Sequence, residues 1–116
     1  MIDVGQETAF THRVLDAISA RSKIAMHNLA NKNTPGFKRY VVRFEDQLRE
    51  ALKEGGDFRE VKPVVERDES GQPGVNNVTE FDEVAIMEKT RALHEIFSKR
   101  MGGYFKSVNK AIRGRA

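Results

Sequence analysis

The chain has no cysteine, no tryptophan and only 3 prolines. None of its apolar runs approaches the roughly 20 residues that span a bilayer. Each absence excludes something. Without cysteine there is no disulfide framework, no thiolate nucleophile and no Cys-based zinc site. The opening MIDVGQETAFTHR lacks the basic stretch and continuous apolar stretch of a cleavable signal peptide, so any export is expected to use another route. Aromatics are 8% of the chain, charged residues 32% and hydrophobic residues 39%. That is the profile of a soluble helical protein, too apolar for a fully disordered one. At 116 residues it fits one small domain with little capacity for a large private core.

Catalytic patterns are equally sparse. His12, His27 and His94 show no metal-ligand spacing, and no HExxH is present. The pairs Glu45-Asp46 and Asp82-Glu83 read as helix-start charges before they read as a general acid and base. No phosphate-binding loop and no Gly-x-Ser-x-Gly elbow occurs. No catalytic residue, metal ligand or cofactor is therefore expected, and nothing in the sequence supports an enzyme.

What is present is uneven charge and helical periodicity. The net charge of +3 conceals a basic end: from Ile96 onward stand Lys99, Arg100, Lys106, Lys110, Arg113 and Arg115, with no acidic residue. The rest of the chain carries an acidic excess. A basic end suits nucleic acid, an anionic lipid surface or an acidic protein, and equally a solvated helix C-terminus where cations complement the macrodipole. No aromatic-basic interleaving, zinc finger or clear helix-turn-helix accompanies it, so no nucleic-acid partner is expected.

Periodicity predicts a first helix from about Phe10 to Asn31. Leu15, Ile18, Ser22, Ala25 and Leu29 form its stripe, Val14, Ala17 and Ile24 widen it, and Arg13, Asp16, Arg21 and Lys23 lie elsewhere. It stops at Asn31-Lys32-Asn33-Thr34-Pro35-Gly36, where Pro-Gly favours a type II turn with Gly36 at positive φ. An extended stretch over 37–42 precedes a short helix over 43–54, with Phe44, Leu48, Ala51 and Leu52 on one face and Gly55-Gly56 ending it. Residues 61–65 suit an edge strand because of Pro63. Residues 66–74 are turn chemistry, expected to be the most mobile part. Thr79-Glu80-Phe81-Asp82 resembles a capping box opening a long helix over 80–112, with an apolar stripe at Ile86, Leu93, Phe97, Met101, Phe105, Val108 and Ile112. Gly102-Gly103 inside it predicts a hinge or a close backbone neighbour, the latter slightly favoured.

The predicted fold is mainly α: two long amphipathic terminal helices packing as a coiled-coil hairpin, with a short helix and an irregular or short-β middle. Residues 1–36 form the first helix and turn, 37–78 the middle, and 79–116 the last helix, which makes one structural domain with the first. The helices would be about 33 and 50 Å long. Paired antiparallel, the longer leaves roughly a third of its stripe bare, either Met101, Phe105, Val108 and Ile112 or Val84, Ile86 and Met87. Each large apolar side chain left in water forgoes about 1.5–3 kcal/mol, which predicts partner chains.

One string is specific. Asn28-Leu29-Ala30-Asn31-Lys32-Asn33-Thr34-Pro35-Gly36-Phe37-Lys38 resembles the signature of the flagellar rod and hook proteins, Asn-Leu-Ala-Asn-x-x-Thr-Pro-Gly-aromatic-Lys. Phe44-Glu45-Asp46-Gln47-Leu48, Asn76-Asn77-Val78 and the closing Tyr104-Phe105…Ala111-Ile112-Arg113-Gly114 resemble the proximal-rod members in particular. Lys32 departs from the pattern, where a small or aliphatic residue is commoner, and the middle loop is short. The resemblance implies a self-assembling structural subunit, exported through the flagellar type III apparatus without a cleaved leader. It would polymerise in the periplasm with terminal helices packed as coiled coils around a channel. The implied partners are copies of itself, other rod proteins, and the membrane-ring complex with its rod adaptor. The implied assembly residues are Leu15, Ile18, Ala25, Leu29, Leu93, Phe97, Met101, Phe105, Val108 and Ile112. Other classes consistent with the residues alone are a helical adaptor or chaperone of a secretion system, and a small basic nucleic-acid-associated coiled coil. Stoichiometric binding without polymerisation marks the first, and steeply salt-dependent DNA binding the second.

Overall fold

Apolar residues spaced for helices at both ends and a proline-interrupted middle produce five elements in the computed structural model, which describes residues 4–55 and 58–113, the side chains of 4, 6, 104, 105, 107 and 108 excepted. They are α1 (Val4–Ala30), β1 (Tyr40–Arg43), α2 (Glu45–Lys53), β2 (Val64–Arg67) and α3 (Glu80–Arg113). The shape is elongated, 65 × 28 × 14 Å. α1 and α3 pack side by side and run in opposite directions: Glu7 bonds Arg100 at one end, and Asn28 bonds Glu83 at the other. The two long helices thus lie antiparallel, with the chain passing between them through the whole 31–79 segment. Their seam is polar where Asn28 meets Glu83.

α1 begins at Val4, six residues before the expected start, because tertiary contacts hold its first turns. Glu7 pairs with Arg100, and the ring of Phe10 meets Phe58 edge-on at 5.0 Å. Its buried face is also rotated from the expected stripe. Thr11, Val14, Ala17, Ile18, Ala25 and Asn28 are buried, whereas Leu15, Ser22 and Leu29 lie at the margin. Arg21, assigned to the polar side, sits over the Phe44 ring at 4.7 Å and donates to the Val42 carbonyl and the Glu45 carboxylate. That forked contact lowers the Glu45 pKa from 4.5 to about 2, desolvation opposing it. The folded value lies below the unfolded one, so this contribution is present above pH 4.5 and lost as the pH falls toward 2.

Two cores result. Val14, Ala17, Ile18, Val42 and Phe44 form the first, with Leu93 and Phe97 of α3 packed on it. Ala51, Phe58 and Val61 form a second beneath α2. Leu52 is 50% exposed, a correction to the expected four-residue face. It stands about 100° around the helix from Ala51, away from the Phe58–Val61 patch. Gly56, expected to share in ending α2, lies outside the described residues.

β1 and β2 pair antiparallel with Tyr40 opposite Arg67 and Arg43 opposite Val64. The second strand falls three residues later than expected. Val61 is spent on the core, Pro63 has no N–H, and the Gln47 amide clamps both backbone groups of Lys62. The sheet's two outer edges differ. On β1, Asn28 donates to the Tyr40 carbonyl (2.8 Å) and accepts from the Tyr40 N–H (2.9 Å), and Arg21 takes the Val42 carbonyl. Helix side chains thereby stand in for a third strand. All four residues of β2 are exposed.

Candidate functional site

The signature string folds into a closed turn. α1 tightens at its end, the Asn31 N–H reaching the Asn28 carbonyl and the Lys32 N–H the Leu29 carbonyl. The Phe37 N–H then bonds the Thr34 carbonyl at 3.2 Å across Pro35-Gly36, and Gly36 has φ 74°. This is the expected type II arrangement. A Cβ at Gly36 would meet only the Gly74 carbonyl at 3.5 Å, an ordinary contact, so the requirement for glycine comes from φ and not from crowding. Gly36→Val should therefore cost about 1 kcal/mol or more in denaturant unfolding. Gly36→Asn should recover part of the loss. A valine variant as stable as the wild type would show that the left-handed backbone is not what the turn needs.

Asparagines convert the turn into a base for α3. The Asn76 side-chain amide donates to the carbonyls of Asn31, Lys32 and Thr34, the last at 2.7 Å. It thus ties together three carbonyls of the turn that follows α1, two of which also accept a backbone N–H within the turn. Lys32, the departure from the signature, forms an exposed ion pair with Glu80 at 3.3 Å. Beside the turn the rings of His27, Phe37 and Tyr40 pack together with centroids 5.8–6.1 Å apart. Asn33 and Pro35 are exposed and Ala30 lies at the helix surface.

Behind the turn lies a buried polar network. Glu83 is 0% exposed, and its carboxylate accepts from Asn28 (3.0 Å) and from Arg39 at 2.9 and 3.3 Å. Arg39 also bonds Asp68 at 3.0 Å. Its backbone N–H reaches the Asn77 side chain, whose amide holds the Asp68 and Ser70 carbonyls. Buried Lys38 points its ammonium at the carbonyls of Ser70 (3.0 Å) and Gln72 (2.7 Å). Among the described residues no buried side-chain polar atom lacks a partner. The bond to Glu83 raises the Arg39 pKa against the effect of burial, and the Ser70 hydroxyl and amide, followed by Arg39, hold Asp68 below the usual carboxylate range.

Two expectations change here. Glu83, read as a helix-start charge, is the centre of the network. Residues 66–74, expected to be mobile, begin inside β2 and continue into a loop fixed by Lys38, Arg39 and Asn77. Sequence reasoning missed Lys38, Arg39, Asp68 and Glu83. The available signal was the α3 stripe extended one turn backward, since Glu83, Thr90 and Phe97 are seven residues apart.

The residues expected at an interface between copies divide into two sets. Ile18 and Ala25 are each 1% exposed within the single chain, and Leu15, Leu93 and Phe97 pack on the same core. Leu29 and Met101 are half-buried. Ile112 is 67% exposed, beyond the end of α1, and Phe105 and Val108 have side chains outside the described residues. Phe81 (79%), Val84 (38%) and Ile96 (61%) are further large apolar side chains in water. Among the described residues nothing lies within 4 Å of where a Cβ would stand on Gly102 or Gly103, so the close neighbour expected there is not found among them. No described helix is long and apolar enough to cross a membrane.

No model of a known protein family matches the sequence. Individual proteins do. The flagellar basal body rod protein FlgB of Borreliella burgdorferi is 27% identical over 135 aligned positions, covering 97% of this chain and 100% of the relative. That of Borrelia hermsii is 30% identical over 124 positions, covering 88% of this chain and 92% of the relative. The likeness spans both long helices and the signature turn that joins them to the network, and the chain belongs to the flagellar basal body rod protein FlgB family.

Proposed function

We propose that the chain is a structural subunit of the flagellar proximal rod. It assembles through its terminal helices into the shaft that links the membrane-ring complex to the distal rod and hook. The observation that carries this reading is the near full-length similarity to two FlgB proteins. The exposed Phe81, Ile96 and Ile112 on α3 support it, since a helix that leaves such residues in water gains by association. In this reading α1 and α3 pack as a unit, and α3 units of neighbouring copies complete a coiled-coil layer around a channel. The chain reaches the periplasm through the type III export apparatus, and contacts other rod proteins and the rod adaptor of the membrane ring.

The test is sedimentation and helicity of the purified chain across concentration. Concentration-dependent growth into rods is expected, and Ile112→Asp should abolish it because an unpaired carboxylate in an apolar seam costs several kcal/mol. Lys106→Gln with Lys110→Gln should be mild, since exposed ion pairs contribute under about 1 kcal/mol. A chain that stays monomeric at every concentration and binds DNA with a steep salt dependence overturns the proposal.

A further inference from the structure

The small sheet has two outer edges, and the chain treats them differently. The Asp68 N–H reaches the Arg39 carbonyl, and the register sets Glu66 opposite Val41 and Val64 opposite Arg43. The backbone groups of Val64 and Glu66 therefore point into the β1 ladder, and those of Val65 and Arg67 point outward. On β1 the outward groups, at Tyr40 and Val42, are taken by Asn28 and Arg21 of α1. On β2 no side chain or backbone group among the described residues takes them. The apolar surface runs out at the same edge. Val42 is 4% exposed, and Val65 directly across the ladder is 50% exposed. A free edge of this kind is a template for one more strand.

We infer that the added strand is β2 of a second copy, antiparallel to the first about a twofold axis at Val65. Charge and register select it. An axis at Glu66 sets that carboxylate against its own counterpart, and an axis at Arg67 sets arginine against arginine and Glu66 against Asp68. Like charges directly opposite oppose pairing. An axis at Val64 sets Arg67 against Val61, which is buried in the core beneath α2 and cannot join a ladder. The axis at Val65 sets valine against valine, Val64 against Glu66, Arg67 against Pro63 and Lys62 against Asp68, with no like pair. Each copy then gives its Val65 N–H to the Val65 carbonyl of the other, and its Arg67 N–H to the Pro63 carbonyl. Pro63 has no N–H to return, so the ladder ends there. Val65 of each copy covers the other, and the apolar row that begins at buried Val42 continues across both copies. The contact lies in the middle segment and leaves the helix pair free. Because it closes on itself it gives a dimer and not a filament, and it stands independently of the rod-subunit reading.

The chain has no cysteine, so a single introduced thiol reports only its own position. Val64→Cys, Val65→Cys and Glu66→Cys are compared under mild oxidation, each in the full chain carrying Ile112→Asp so that rod growth does not contribute. At the axis the two Cα atoms are about 5.5 Å apart, within disulfide reach, whereas residues 64 and 66 lie about 8 Å from their own counterparts. Val65→Cys should therefore link at least about tenfold faster than either neighbour. Val65→Pro removes the outward N–H and leaves the β1 ladder intact. In sedimentation it should weaken the dimer at least about tenfold, with circular dichroism showing the helices retained. Equal linking at all three positions, or none, overturns the inference. Faster linking at 64 or 66 overturns the register, and a Val65→Pro chain that pairs as well as its parent overturns the strand contact.

Discussion

Glu83→Ala should destabilise the chain by about 3–5 kcal/mol, the cost of leaving a buried ionic partner unpaired. Arg39 would lose its two bonds to the carboxylate and keep only Asp68, which sits at the edge of the network. Asn28 would lose its acceptor on α3 while remaining bonded to Tyr40. Glu83→Gln should cost less, because an amide oxygen still accepts from one donor. Replacing Glu83 and Arg39 together with leucine should recover much of the loss, since exchanging a buried pair for apolar residues is often close to neutral. Urea denaturation of dilute protein measures all three. With total stability typically about 5–15 kcal/mol, a loss of this size threatens the fold. If Glu83→Ala unfolds within 1 kcal/mol or so of the wild type, the network is not what fixes α3 against the turn.

The second large effect belongs to the other end of the middle segment. Phe58→Ala should cost about 3–5 kcal/mol, the usual range for emptying a buried aromatic site. Phe58 is 1% exposed and the largest fully buried side chain among the described residues, held between Ala51, Val61 and the ring of Phe10. Leu52→Ala is the matched control. Leu52 is also a large apolar residue and stands on α2, the helix above the same cluster, but half in water, and surface substitutions usually stay within about 0.5 kcal/mol. Equal losses for the two would show that the cluster beneath α2 is not a core. A large loss for Phe58 alone would show that the middle segment contributes stability of its own.

What could be read from the sequence was local. The helix stop at Asn31 to Gly36, the left-handed glycine and the extent of α3 all depend on residues a few positions apart, and each was legible. The buried network was not. Asn28, Arg39, Asp68, Asn77 and Glu83 come from four separate stretches, and polar residues that satisfy one another across such distances leave no period. Arg21 was misplaced for a related reason. A stripe read from apolar residues alone assigns every arginine to water, whereas this one covers an aromatic ring and a strand edge. The shift of β2 from 61–65 to Val64–Arg67 has the same origin, because only the folded chain decides whether Val61 belongs to a strand or to a core. The resemblance pointed to the right family because the signature contains the turn itself. It did not reveal that the turn is the floor on which the last helix stands.

The three bonds from Asn76 to the carbonyls of Asn31, Lys32 and Thr34 join the departure point of the middle segment to its point of return. In topological terms the chain between them is an excursion that starts and finishes at one clamp. Closing a flexible loop costs only about 0.6 kcal/mol more for each doubling of its length. Residues added to or removed from the excursion away from that clamp therefore leave the axial register of α1 against α3 unchanged. The Borreliella burgdorferi relative aligns over 135 positions with a chain of 116 residues, so insertions have been accommodated within this family. If copies assemble through the helix pair as proposed, their repeat distance can stay fixed while the lobe projecting from each pair changes in size.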